Sequence, residues 1–301
     1  VGKPPELGTD VFAMDTGRSS GDIPNYDSGF PVDFAWYRKP ASAFNWWSGQ
    51  RLTGDKLMTF TGTNAEGSGG SDICWDSNTG WSGDASHGSD YQSWMFKRHA
   101  GLDVVAYKGN STNPRAIRHN LAKEPEMIWI KRRSTNDNWL AGVNFGSSNY
   151  DILKVNLHDS AINLSYNARF MSKPTSTVFT IDQDSSVNGS SDTYLAVLFA
   201  SVDGISKLGV FNGQSSDLTV TFGFQPRFLM VKRLDSNGDW NVYDTTRGLV
   251  SGADKELRFN NNTAQSDHEV GDITSTGFTF ACGGSHDTCS AGGKWLYYAH
   301  A

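Results

Sequence analysis

The chain has 301 residues, of which 37% are hydrophobic, 12% aromatic and only 19% charged. A net charge of −6 and a pI near 5.6 argue against nucleic acid as the main partner, because phosphate binding needs clustered positive charge. Abundant Gly, Trp and Phe beside scarce Glu exclude coiled coils and long helical bundles, and suit short strands joined by tight turns.

Val11-Phe12-Ala13-Met14, ahead of Gly17, reads as the first strand. Phe34-Ala35-Trp36-Tyr37-Arg38-Lys39 follows, then Trp46 ten residues beyond Trp36, and Tyr91-Gln92-Ser93-Trp94-Met95-Phe96 closes the segment. The same landmarks return in order. Val104-Val105-Ala106-Tyr107, Met127-Ile128-Trp129-Ile130-Lys131-Arg132, Trp139 and Tyr194-Leu195-Ala196-Val197-Leu198-Phe199 form a second set. Leu208-Gly209-Val210-Phe211, Phe228-Leu229-Met230-Val231-Lys232-Arg233, Trp240 and Trp295-Leu296-Tyr297-Tyr298-Ala299 form a third. A proline precedes each long apolar strand, at Pro31, Pro125 and Pro226. A period near 100 residues exceeds the ~20–50 of solenoids and propeller blades and suits a complete small domain.

Within each copy, short runs such as Thr177-Val178-Phe179-Thr180-Ile181 and Leu218-Thr219-Val220-Thr221-Phe222 are broken by turn signals such as Asn188-Gly189 and Asn237-Gly238. The expected fold is all-β: three tandem antiparallel β-sandwich, jelly-roll-like domains over residues 1–101, 102–203 and 204–301, closely abutted near Gly101 and Gly204. No apolar run approaches the ~18–20 residues of a membrane span, so no membrane insertion is expected. Val1-Gly2-Lys3-Pro4-Pro5 lacks the apolar core of a signal peptide.

Several motifs resemble a family of repeat-containing bacteriophage virion proteins, common in phages of aquatic bacteria and labelled tail, tail-fibre or hypothetical structural proteins. They are Glu124-Pro125-Glu126-Met127-Ile128-Trp129-Ile130-Lys131-Arg132-Arg133, Tyr194 to Ala200, and Asp239-Trp240-Asn241-Val242-Tyr243-Asp244-Thr245-Thr246-Arg247-Gly248. The likeness is strongest over about residues 90–301. It implies a location on the phage particle surface, other virion proteins as partners, and attachment to a host surface glycan. By analogy with fibres it also implies a homo-oligomer, a trimer. It carries over no catalytic residue.

The chemistry-bearing candidates are few. Asp182 with Asp184, and Glu124 with Glu126, are pairs of the kind glycan cleavage needs, but neither recurs, and solvated acidic loops look the same. Asp235-Ser236-Asn237-Gly238-Asp239 resembles the start of a calcium loop but lacks its glycine and its terminal acid; a hairpin turn fits better. Three cysteines are too few for a disulfide framework; Cys282 and Cys289, seven apart, face each other across a hairpin, free or bridged. No zinc set, nucleophile elbow or phosphate loop is present, so no metal, cofactor or catalytic residue is expected.

Recurring aromatics such as Trp46, Trp139 and Trp240 read as core. Non-recurring ones, Trp47, Trp75, Tyr26, Tyr150 and Tyr166, are the candidates for stacking on sugar rings. The recurring basic pair (Arg38-Lys39, Lys131-Arg132, Lys232-Arg233) reads either as a solvated strand end or as a charge contact between subunits or between domains. The expected function is a non-enzymatic virion structural protein. A carbohydrate-binding adhesin, and behind it a polysaccharide-degrading enzyme, are the alternatives.

Overall fold

The computed structural model describes residues 7–18, 23–84, 86–98, 100–145, 149–165, 169–249, 252–283 and 288–301. Strands hold 43% of the chain and helices 4%. The fold is nearly all β, with several antiparallel sheets.

The first stretch contributes β1 (Phe12–Thr16), β2 (Tyr26–Asp27), β3 (Phe34–Arg38), β4 (Trp47–Gln50), β5 (Lys56–Thr59), β6 (Gly67–Ser68), β7 (Gly80–Trp81) and β8 (Gln92–Phe96). The second contributes β9 (Leu102–Lys108), β10 (Arg115–Arg118), β11 (Met127–Arg132), β12 (Trp139–Val143), β13 (Asn149–Lys154), β14 (Ile162–Ser165), β15 (Val178–Ile181) and β16 (Thr193–Phe199). The third contributes β17 (Ser206–Asn212), β18 (Leu218–Thr221), β19 (Phe228–Arg233), β20 (Trp240–Asp244), β21 (Asp254–Arg258), β22 (Ser266–His268), β23 (Gly271–Thr274), β24 (Gly277–Phe280) and β25 (Lys294–His300).

Each stretch builds a six-stranded sheet, in the orders β1-β8-β3-β4-β5-β6, β9-β16-β11-β12-β13-β14 and β17-β25-β19-β20-β21-β22. Three smaller sheets, β2-β7, β10-β15 and β18-β24-β23, accompany them. Gly101 and Gly204 both fall between large sheets. At Gly101 φ is +81°, and a Cβ would stand 2.4 Å from Ser206 Oγ, so glycine is required there on two counts.

Alternation along the central strands decides the packing. On β11, Met127 and Trp129 face one core while Ile128 and Ile130 face another. On β3, Phe34 and Trp36 separate in the same way from Ala35 and Tyr37, and on β19, Phe228 and Met230 from Leu229 and Val231. An apolar run without polar alternation therefore marks a strand buried on both faces. The outer faces build three separate cores with the small sheets and loops.

The inner faces of all three large sheets meet in one cluster. Trp129 lies 6.2 Å from Trp36, 5.9 Å from Trp240 and 5.7 Å from Phe60, ring centre to ring centre. Phe60 packs on Trp139 at 4.6 Å, and Trp46 on Phe259 at 4.4 Å. The reading of abutted domains did not anticipate a core common to all three.

A common core predicts cooperative unfolding. Denaturant titration followed by tryptophan fluorescence and by far-ultraviolet circular dichroism should give one coincident transition. Trp129→Ala should move it down by about 3–5 kcal/mol. Separate transitions for the three stretches would show that the inner faces do not depend on one another.

Candidate functional site

The side chains that recur along the sequence converge on the seams between the large sheets. At each seam an indole donates to a backbone carbonyl of the neighbouring sheet. Trp46 Nε1 reaches Arg258 O at 2.8 Å, Trp139 Nε1 reaches Thr59 O at 2.8 Å, and Trp240 Nε1 reaches Lys154 O at 3.1 Å. The order is cyclic: the first sheet donates to the third, the second to the first, the third to the second.

Arg38, Lys131 and Lys232 lie two residues past Trp36, Trp129 and Met230, which turns them to the inner face, and all three are fully buried. Arg38 Nη2 donates to Thr263 O at 2.7 Å and also to Ser42 O and Asn262 O. Lys131 Nζ donates to Arg132 O and Asp137 O, each at 2.9 Å, and to Thr63 O at 3.2 Å. Lys232 Nζ donates to Gly238 O at 2.6 Å, Asp159 O at 2.8 Å and His158 O at 3.4 Å. Asn262, Thr63 and His158 each belong to the neighbouring sheet, and their carbonyls also accept the amides of Phe44, Asp137 and Gly238.

A return set runs the other way, from Gln265 N to Pro40 O, Glu66 N to Arg133 O and Ala161 N to Leu234 O. Asn136 and Asn237 add side-chain caps to Ala65 N and Ser160 N, a role the methyl of Ala43 cannot fill at the third seam.

Burial pushes the ammonium groups of Lys131 and Lys232 down to about 8, and the Arg38 guanidinium, with Arg247 nearby, down to about 9. All three stay charged at neutral pH, with backbone carbonyls replacing water around them. The first residue of each basic pair is thus a contact between sheets. The second stays at the rim, Lys39 on Asp90, Arg132 on Asp192 and Arg233 on Asp235. The sequence reading left both options open; the signal that decides is the in-phase spacing from the inner-facing Trp36, Trp129 and Met230.

The sugar-stacking candidates fare otherwise. Tyr26 is fully buried, with its hydroxyl 3.0 Å from His87 Nδ1. Tyr150 is buried against Phe170 at 4.5 Å. Trp75 is buried on Trp81 at 4.7 Å, and its Nε1 donates to Gly54 O. None of the three offers a free ring face, so that expectation is corrected for them. Trp47 is half-buried, packed against the first outer core. Tyr166 lies outside the described residues.

Cys282 and Cys289 are joined in a disulfide. Asp182 accepts the amides of Arg169 and Asp184, and Asp184 caps a short helical turn through Ser186 N. Glu124 pairs with Lys173 and Glu126 accepts Ser201 N; both line a shallow cleft of about 460 Å³ with Lys123, Asn144, Phe145 and Ser201. Asp33 accepts Arg98 N at the matching place in the first sheet, so Glu126 repeats a backbone cap. In the calcium-like stretch, Asp235 takes Arg233 and Lys294 N, Asn237 caps Ser160, and Asp239 takes Asn260. Among the described residues no group of three or more His, Cys, Asp or Glu side chains is placed to hold a metal ion.

One further polar group has no counterpart in the other sheets. Glu256 is buried where Leu57 and Ile152 stand, and accepts Tyr243 Oη at 2.5 Å and Arg258 Nε at 2.8 Å. His268 Nε2 lies 3.0 Å from Ser266 Oγ and 3.9 Å from Glu256 Oε1. Serine and carboxylate both lie against this one ring nitrogen.

A family model described as a domain of unknown function (DUF7483) matches residues 27–301. The chain belongs to this family. No curated protein and no solved structure matches it. The DUF7483 span contains every seam residue named above, while β1 and Tyr26 precede it.

Within the DUF7483 chain His87 is a second buried polar centre. Its ring stacks on Tyr91 at 4.0 Å and lies 4.6 Å from Tyr37. Burial pushes it down to about 4, with Asp84 and Asp90 opposing. Its folded value is below its ordinary one, so the unfolded chain takes up the proton first as pH falls. The stability tied to neutral His87 is intact above about 6.5 and lost toward 4. Between pH 7 and pH 5 the loss is about 2 kcal/mol. Chemical denaturation of His87→Phe at the two pH values should show a pH dependence smaller by that amount; an unchanged dependence would place the titration elsewhere.

The seam cations make a separate expectation. Lys232→Met removes the donor from the carbonyls of Gly238, Asp159 and His158, and should lower the unfolding free energy by about 1–3 kcal/mol. Lys232→Arg should keep most of the stability, since Arg38 fills the same place. If the methionine variant unfolds at the wild-type denaturant concentration, the cation does not hold the seam.

Proposed function

We propose that this protein is a non-enzymatic structural component of a phage particle, acting through contacts with other virion proteins and with host surface glycan. In this reading it is built from three jelly-roll-like sandwich units of a repeat about 100 residues long. The observation that carries the reading is where the recurring side chains go. The Trp46, Trp139 and Trp240 indoles and the Arg38, Lys131 and Lys232 cations are all spent on binding one sheet to the next. Residues kept in all copies of the repeat are used within the chain itself, which supports a structural role.

Three head-to-tail contacts closed into a ring are the arrangement of a cyclic homotrimer. One chain supplies all three, which supports a particle part built as a single stiff block. The virion location rests on the resemblance of the Glu124–Arg133, Tyr194–Ala200 and Asp239–Gly248 motifs to phage structural proteins.

Immunogold labelling of purified particles with an antibody raised against the whole chain tests the location. Label on tail or fibre tips should accompany a role in attachment, and label over the head a decorating role. Bare particles, with the protein detected free in the lysate, would overturn the virion reading.

A further inference from the structure

The seam between the third and first sheets differs in chemistry from the other two. The chain runs directly from β8 into β9 and from β16 into β17, but does not pass from the third sheet into the first. At this seam buried positions depart from the pattern of the other sheets. His300 stands where they carry Phe96 and Phe199; it is 2% exposed, and its ring stacks on Phe12 of the first sheet at 4.4 Å. Arg227 stands where they carry the acids Asp33 and Glu126. It donates to Phe12 O at 2.8 Å and to Ala301 O at 2.7 Å, with its guanidinium carbon 5.4 Å from the centre of the Phe12 ring. Asp244 stands where they carry Gln50 and Val143. Its buried carboxylate accepts Trp94 Nε1 at 3.0 Å and Gln92 Nε2 at 3.2 Å from the first sheet, and Arg247 Nε at 2.7 Å from its own turn.

We propose that the seam between the third and first sheets is an acid-sensitive latch, in which protonation of His300 against Arg227 opens this seam while the other two hold. His300 Nδ1 lies 3.4 Å from the Ala301 carbonyl that also accepts Arg227 Nη2; the carbonyl itself favours a protonated ring, whereas the Arg227 cation held on the same oxygen opposes one. At the His300 end of the elements packed around the ring the charged groups are Arg227 ahead of β19, Lys207 on β17, Lys97 and Arg98 past β8, Asp10 ahead of β1, Asp33 ahead of β3 and Asp244 on β20, the last held by Arg247. Asp33 is taken by Arg98 N and Arg51, and Asp10 by Leu7 N. Arg227 is the one whose charge reaches the ring, and it opposes the proton. Burial is the largest effect and, with Arg227, outweighs the Ala301 carbonyl to hold His300 at about 3 in the closed seam, against an ordinary value of 6.5 once released. Phenylalanine at the two matching positions shows that packing alone does not call for a titratable ring.

Amide hydrogen exchange on the full chain reads each seam separately, because each has its own crossing bonds. Phe44 N and Gln265 N cross the seam in question, Glu66 N and Asp137 N the seam between first and second sheets, and Ala161 N and Gly238 N the remaining one. From pH 7 to pH 5, after correction for intrinsic rates, protection of Phe44 and Gln265 should fall on the order of twentyfold relative to the other four amides, which should lose no more than the common factor set by His87. In His300→Phe, which restores the residue of the other two sheets, all six should fall by that common factor alone. Equal loss at all six, or at none, in the wild type would overturn the proposal, and this pattern decides even if the variant does not fold. Loss in His300→Phe equal to the wild type would assign the acid response to His87 and overturn it too.

Discussion

A sheet that is apolar on both faces has to be covered on both sides, and this one requirement shapes the molecule. The small sheets and loops cover only the outer faces. Each inner face is covered by the other two, and the three close on a cluster of Trp, Phe and Met side chains. At roughly 25 cal/mol per Å² of apolar surface removed from water, leaving any one inner face exposed would be costly on the scale of the stability of a whole domain. The ring is therefore a condition for the sheets to exist, more than a way of arranging finished ones.

Closing three sheets around an axis creates a polar difficulty, since backbone groups at the ends of the strands are carried inward along with the apolar side chains. The buried cations and indoles answer it. Each presents N–H donors to carbonyls of the neighbouring loops, and the Thr63, His158 and Asn262 oxygens each take two donors. A buried ammonium is costly when bare and tolerable when its protons are all taken. Lys131 and Lys232 are held by three carbonyls apiece, drawn from both sides of a seam, which ties the favourable state of the charge to correct docking.

Much of this was legible in the sequence and some was not. The strands, their antiparallel β character and the buried place of Trp46, Trp139 and Trp240 follow from period-two patterning and recurrence. Which side of a strand faces which core does not, because Met127-Ile128-Trp129-Ile130 looks the same from both sides. Tyr26, Trp75 and Tyr150 were read as ligand platforms because they do not recur. Yet the outer cores differ from one another, and non-recurring aromatics fill them. Gly142 and Gly49 show the compensation: a Cβ there would meet Phe170 at 2.2 Å and Trp75 at 3.0 Å, whereas Tyr243 fills the same place in the third sheet from within. Burial of Arg38, Lys131 and Lys232 was visible in their phase, but a pair of basic residues at a strand end reads more naturally as solvated.

Head-to-tail contacts carry a consequence for how such a molecule can vary. In a ring of identical subunits every substitution is made three times, so the contacts stay alike. Here each seam is written by its own pair of segments. Arg133 and Glu66 form a two-pronged ion pair at one seam, whereas Leu234 with Ala161, and Pro40 with Gln265, occupy those places at the others. A single chain that encodes its own threefold ring can thus alter one contact without touching its neighbours. Symmetry becomes a starting point from which each seam drifts alone.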